Sequence, residues 1–336
     1  MSKIALVLQS FKLDAPVAIV LLTIWLVCAR LRRNAFRTKR APPQVPLLEL
    51  LGSPGSAKST LARRLGRLVT GERDFEVTAV PPREEDFWLC VSETGVLALD
   101  NVNEAPRYLS SALAQAVTGT TSKKRTHYSN TELTKVTSRA TIIITAVHAP
   151  LLRAETMDRM LILRLAALAS YRSNDDLERE FRAHEKDAAR EIDRLCRVVE
   201  LRLPTASPTA SHRLADFERI GRVVADELGE GPALTAALAG MSDERIKVLC
   251  DADPCFAALW EIANDPASTG RQYTLEELLD EICKRLGHRA DFQTVLRDPQ
   301  RLGIWLGDVR GRAAGLLRVE RHRSNRGVRY SIEPGR

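Results

Sequence analysis

The chain has 336 residues, 44% of them hydrophobic and 28% charged. Those are ordinary proportions for a soluble globular protein of two or three domains, and they exclude any need for disulfide or metal staples to complete a core. A formal charge of +7 favours an anionic partner, nucleic acid or a membrane surface, and carries no information about fold.

Residues 15–29 are an uncharged apolar run followed by Arg30, Arg32, Arg33, Arg37, Lys39 and Arg40. Apolar residues backed by cations have the layout of a membrane anchor that leaves the rest of the chain inside. The run is shorter than the roughly 20 residues that span a bilayer, and a buried core helix is the competing reading. Six cysteines form no Cys-x-x-Cys pair and no zinc spacing with a histidine, so free thiols in a reducing, cytoplasmic compartment are expected.

Residues 45–51 read as a buried strand entering a glycine turn, and 59–69 as a helix. Between them stand Gly52, Ser53, Pro54, Gly55, Ser56, Ala57, Lys58, Ser59 and Thr60, which match G-x-x-x-x-G-K-[ST] except that Ala57 replaces the second glycine. In such a loop backbone N–H groups wrap the phosphates of ATP, and the helix N-terminus favours their charge. Lys58 would reach the β- and γ-phosphates, and the Ser59 hydroxyl would bind Mg²⁺. The extra methyl of Ala57 is tolerated where φ is negative.

Residues 70–87 read as a polar loop and 95–100 as a second strand ending in Asp100, the acid placed to hold Mg²⁺. Asn101 follows where a water-activating glutamate often stands, with Glu104 a nearby candidate or a solvated turn residue. Residues 109–117 have helical spacing, and 118–139 suit a β-hairpin or loop. That stretch holds Lys123, Lys124, Arg125 and Tyr128, three cations for phosphate and one ring for base stacking. Residues 141–145 form a third strand ending in Thr145, a group that would touch the γ-phosphate or the attacking water; His148 reads as a surface residue.

Arg159 precedes a fourth strand, 160–165, and would project into a neighbouring subunit's nucleotide site, with Arg153 and Arg164 as competitors. Alternating strands and helices predict an α/β sheet between helices. Residues 171–202 and 212–287 read as helical. A last helix from 299, then strands near 317–321 and 328–332, predict a winged helix whose Arg310, Arg312, Arg318, Arg321, Arg323, Arg326 and Arg329 suit a duplex backbone. The divisions expected are a helical segment 1–44, a core 45–170, a helical lid or linker 171–290 and a basic domain 291–336.

These motifs, in this order, resemble phage and mobile-element P-loop ATPases related to superfamily 3 helicases and to the helicase half of viral primase-helicases. The resemblance rests on residues 50–61, 97–102, 109–113, 117–119, the basic knot, 141–145, 157–159 and 215–217. It implies an AAA+ domain, a three-layer α/β/α fold, assembling into a homo-oligomeric ring that uses ATP and Mg²⁺. A basic hairpin bearing Lys123, Lys124 and Arg125 would meet single-stranded DNA in the central channel, and Arg159 would act across the subunit interface. Relatives carry an apolar helix with a tryptophan before the loop strand, which Trp25 matches, making membrane attachment unexpected. The chain departs from the family in having Thr145 where an asparagine is usual and in lacking the glutamate after Asp100. The expected function is a DNA-dependent ATPase, a helicase or translocase in element replication. The alternatives are an ATP-gated DNA-binding scaffold with little hydrolysis and a membrane-tethered ATPase.

Overall fold

The computed structural model describes residues 2–13, 16–38, 42–125, 133–150, 154–168, 173–207, 209–210, 214–287, 298–324 and 327–335. In chain order the elements are α1 (Lys3–Leu8), α2 (Pro16–Thr38), β1 (Leu47–Leu51), α3 (Lys58–Thr70), α4 (Glu84–Thr94), β2 (Val96–Leu99), α5 (Leu109–Thr118), β3 (Thr120–Arg125), β4 (Leu133–Ser138), β5 (Thr141–Ala146), α6 (Ala154–Met157) and β6 (Met160–Arg164). There follow α7 (Asn174–Arg202), α8 (Ala215–Leu228), α9 (Gly231–Ala252), α10 (Pro254–Asn264), α11 (Leu275–Leu286), α12 (Pro299–Arg312), β7 (Leu317–Ser324) and β8 (Gly327–Pro334). The chain divides into two compact units, Met1–Leu151 with Asp158–Met241, and Leu152–Met157 with Ser242–Arg336.

The first unit is built on four parallel strands in the order β2-β5-β1-β6. Every residue of β1, β2 and β5 is buried, as expected of a parallel sheet covered on both faces. Leu48, Leu50, Ala98, Ile143, Leu161 and Leu163 share one core with α2, α3, α7 and α8. Residues of the other parity, including Leu97, Leu99, Ile142 and Ile144, turn to the opposite face, and α5 packs on β5.

The run at 15–29 becomes part of α2, and Leu22, Ile24, Trp25, Leu26 and Val27 are fully buried in that core. Trp25 donates its indole N–H to the Pro46 carbonyl at 2.9 Å. Two of the cations behind the run serve the fold: Arg30 and Arg33 both donate to the Val69 carbonyl, at 2.8 and 2.9 Å, where α3 ends. No helix among the described residues is long and apolar enough to cross a membrane.

Residues 84–87, expected as the end of a loop, instead open the helix α4, which runs on to Thr94. Glu84, Glu85 and Asp86 occupy its first turn, where the helix dipole favours acids, and Gly95 closes it at φ 64°. The strand starts only at Val96, after that glycine.

A charged clamp ties α3 to α7. Arg67 pairs with Glu178 at 2.8 Å and Glu185 at 3.0 Å, and its guanidinium lies 4.6 Å from the Phe181 ring centre. This anchors the helix that carries Lys58 and Ser59 on its first turn.

In the second unit α10, α11 and α12 surround an apolar core of Phe256, Leu259, Ile262, Leu278, Leu302 and Leu306, closed by β7 and β8. These two strands are antiparallel, with Leu317 opposite Pro334 and Ser324 opposite Gly327. Tyr273, between α10 and α11, exchanges two backbone hydrogen bonds with Tyr330 at 2.9 and 2.7 Å, an isolated antiparallel bridge at the edge of the hairpin.

Candidate functional site

Parallel strands align their carboxyl ends, and the chain beyond those ends is where an α/β sheet binds ligands. The segment from Gly52 to Ala57 leaves the end of β1 between β5 and β6 and turns into α3. A side chain at Gly52 would bring its Cβ within 2.4 Å of the Leu165 carbonyl, so only glycine fits there. Gly55 has φ 80° and Ala57 φ 63°. The condition under which the extra methyl is tolerated without cost, a negative φ, is not met: the alanine holds the left-handed conformation that glycine takes without penalty, at a cost of roughly 1–2 kcal/mol.

Helix α3 begins with no side-chain cap and no acid in its first turn. Its leading N–H groups and the positive end of its dipole are left to an anion from outside the helix. Lys58 stands at the same place. Its ammonium donates to the Gly52 carbonyl at 2.6 Å and the Ser53 carbonyl at 3.0 Å, so the loop folds around its own lysine. Partial burial lowers the Lys58 pKa below its ordinary value, while nearby Asp100 pulls it upward.

Asp100 follows β2. Its backbone N–H donates to the Thr78 carbonyl at 2.8 Å, and one carboxylate oxygen, Oδ1, accepts two hydroxyl hydrogen bonds. Ser59 donates at 2.6 Å from the first turn of α3, and Thr145 donates at 2.6 Å from β5. Thr145 Oγ1 also accepts from the Asn101 N–H at 2.9 Å. The Thr145 hydroxyl thus bridges Asp100 and the Asn101 backbone. Asn101 has φ 55°, within reach of an asparagine. Its side-chain oxygen accepts from Asn103 at 2.6 Å, and Asn103 accepts from the Val147 N–H at 2.9 Å. This chain of bonds joins the ends of β2 and β5, and Asn103 had no signal in the sequence. Glu104 and His148 are exposed.

The remaining candidates lie elsewhere on the sheet. The Leu47 N–H donates to the Arg159 carbonyl, which puts Arg159 beside the amino end of β1, five residues of strand and roughly 16 Å from the loop. Arg164, by contrast, pairs in register with Leu51 at the loop end. Lys123, Lys124 and Arg125 lie on β3, in register with Lys135, Thr134 and Leu133 of β4. This hairpin also roots at the amino end of β5, where Arg139 donates to the Thr118 carbonyl at 2.6 Å and the Ala140 N–H to Ala116. Gly119, at the root, has φ 90°, a conformation that favours glycine. Tyr128, Arg153 and Arg326 lie outside the described residues.

Sequence reasoning missed two buried ionisable groups. Glu49 sits in the middle of β1, fully buried, with neither carboxylate oxygen hydrogen-bonded. Burial pushes its pKa up to about 8, against a smaller downward pull from Arg164. Arg32, 1% exposed, donates to the Val117 carbonyl at 2.6 Å at the end of α5. Burial, reinforced by Arg139, brings its pKa down to about 9. Alternation hides Glu49 inside an apolar strand, and the arginine reads like any other in a basic segment.

A four-stranded parallel sheet with helices on it, and a loop of two glycines between one of its inner strands and an uncapped helix, places the chain among mixed α/β proteins. Residues 26–244 match the family described as actinomycete integrative conjugative element replication protein. The chain belongs to that family, and its function is tied to replication of a mobile element. No curated protein matches the chain. Two apo structures of the C-terminal region of NrS-1 are similar at 14% identity and a TM-score of 0.40, with 98% of this chain and 74% of that one covered, a likeness too weak to argue from.

Proposed function

We propose that this chain binds ATP with Mg²⁺ and hydrolyses it in response to DNA, as an AAA+ motor that translocates on or unwinds DNA during replication of the element. The observation that carries the proposal is the meeting of Ser59 and Asp100, 41 positions apart, at 2.6 Å beside the uncapped start of α3. A hydroxyl and a carboxylate are hard oxygen donors that suit Mg²⁺, and they lie next to the lysine and free N–H groups that suit phosphate. When bound, the ion would neutralise charge on the β- and γ-phosphates. Ser59 and Asp100 would hold it, Thr145 keeps Asp100 aimed, and Lys58 would exchange its loop carbonyls for phosphate oxygens.

The opposite edge of the sheet suits contacts outside the nucleotide's own subunit. Arg159 lies too far from its own loop to act there, so any service to a γ-phosphate would be across a subunit boundary, as in a homo-oligomeric ring. The β3–β4 hairpin, with Lys123, Lys124 and Arg125, is the proposed contact for single-stranded DNA. In the second unit, three helices and a terminal hairpin bridged at its edge by Tyr273 fit the winged-helix plan and the binding of duplex DNA.

The decisive experiment measures ATP hydrolysis by the full chain with and without single-stranded DNA, alongside Lys58→Ala. Stimulation by DNA that disappears in the variant is expected; turnover indifferent to both would overturn the proposal. One observation favours a second reading, an ATP-gated DNA-binding scaffold. Thr145 is engaged with Asp100 and Asn101, and no glutamate follows Asp100, so activation of water is weak. Nucleotide-dependent DNA binding with negligible turnover would select that reading.

A further inference from the structure

We infer that the duplex-binding surface of the second unit is the β7–β8 hairpin, with Arg321 and Arg323 as its phosphate contacts, and that α12 supplies little of the binding. The inference rests on the proposed duplex binding of this unit and assigns it to one edge of the fold.

Arginine density alone does not separate helix from hairpin, but the partners do. Arg310 of α12 donates to the Val319 carbonyl at 2.7 Å and pins the helix to β7. Arg312 lies 2.9 Å from Asp308 and 3.5 Å from Asp253. On the hairpin, Arg318 bonds Glu320 at 2.8 Å, and Arg329 donates to the Gln272 carbonyl at 3.0 Å with Glu277 at 3.7 Å. Arg301, Arg321 and Arg323 remain exposed and without an ion pair among the described residues.

The two elements present these cations differently. The exposed face of α12 offers Arg301, Ile304, Gly307, Asp308 and Gly311, so one free cation is offset by an acid, and the 76%-exposed Ile304 stands between them. On β7, Arg321 and Arg323 are two residues apart, opposite Tyr330 and Val328, hence on one face and roughly 7 Å from each other. The same face is buried at Leu317, Val319 and Ile332 further from the turn, and at Tyr330 across from Arg321. The apolar part fixes the hairpin to its unit, and the part nearer the turn carries the two arginines outward. Strand pairing holds their backbones, so little ordering remains to oppose binding. Guanidinium groups without an internal acid are free to contact phosphate oxygens and release counterions.

The test is binding of a labelled duplex by the full chain without nucleotide, over a range of salt concentrations. Arg321→Glu with Arg323→Glu should weaken binding about tenfold or more and flatten the salt dependence by about two phosphate contacts. Arg301→Glu and Ile304→Ala on α12 should stay within about twofold of the parent. All four side chains on the tested faces are exposed, and unchanged thermal melting would verify the fold. Loss confined to the α12 variants, or full duplex affinity in the hairpin variant, would overturn the assignment while leaving duplex binding itself intact. Absence of duplex binding by the parent chain at low salt would instead remove the reading beneath it and the assignment with it.

Discussion

Ser59 and Asp100 are joined by a 2.6 Å hydrogen bond between the first turn of α3 and the end of β2, and Thr145 bonds to the same carboxylate oxygen from β5. Three elements distant in sequence thus converge on Oδ1. Asp100→Asn removes the charge that would hold Mg²⁺ while leaving a side chain of the same shape. It should reduce ATP turnover on the order of 100-fold, the scale of several kcal/mol of metal-derived stabilisation. Binding of a fluorescent ATP analogue without Mg²⁺ should persist. Equal loss of metal-free binding in this variant would show that Asp100 supports the loop and not the ion.

Ala57 gives a prediction in the direction of greater stability. Its φ of 63° costs a residue with a Cβ, and Ala57→Gly removes that strain while adding freedom to the unfolded chain. The balance should be a gain of up to about 1 kcal/mol in urea unfolding, with nucleotide affinity unchanged or improved. A loss would mean that the methyl group, which packs against the core, contributes more than the strain removes.

Arg159 invites a complementation experiment. It lies at the amino edge of the sheet, away from the loop of its own subunit. Lys58→Ala and Arg159→Ala should each abolish ATP turnover alone. When mixed they should regain part of it, because an intact Lys58 in one subunit then meets an intact Arg159 in the next. Failure to recover activity in mixed assemblies of demonstrated composition would remove Arg159 from a role in trans.

What the sequence disclosed followed from how local each requirement is. The four strands of the sheet were legible because burial on both faces writes continuous apolar runs, such as residues 141–146. The glycine at 52 was legible because backbone contact excludes every other residue. Helix α4 was hidden because its acidic first turn follows two prolines and resembles a loop, although three successive acids are also a helix-start signal. The Arg67 clamp was illegible for another reason: its acids stand 111 and 118 residues away, and no local pattern marks such a pair. Thr145 showed its position but not its hydrogen bond to Asp100, since the direction of a hydroxyl depends on what the fold brings to it.

Glu49 makes stability depend on pH in a direction opposite to that of an ordinary paired carboxylate. With its pKa raised to about 8 by burial, the folded chain keeps a proton here that the unfolded chain has released above the usual carboxylate range near 4.5. The native state therefore binds more protons between those values, and stability falls as pH rises through that window, then levels off above it. Glu49→Gln keeps the shape and cannot ionise, so it should be more stable than the parent at pH 7 by about 2 kcal/mol or more. The gain should shrink toward pH 4.5 and level off below it, where Glu49 is protonated in both the folded and the unfolded chain. Urea unfolding of parent and variant at several pH values between 5 and 8 measures the difference directly. A constant gap across that range would mean that Glu49 is ionised in the fold, held by Arg164, and that its burial is offset by that charge.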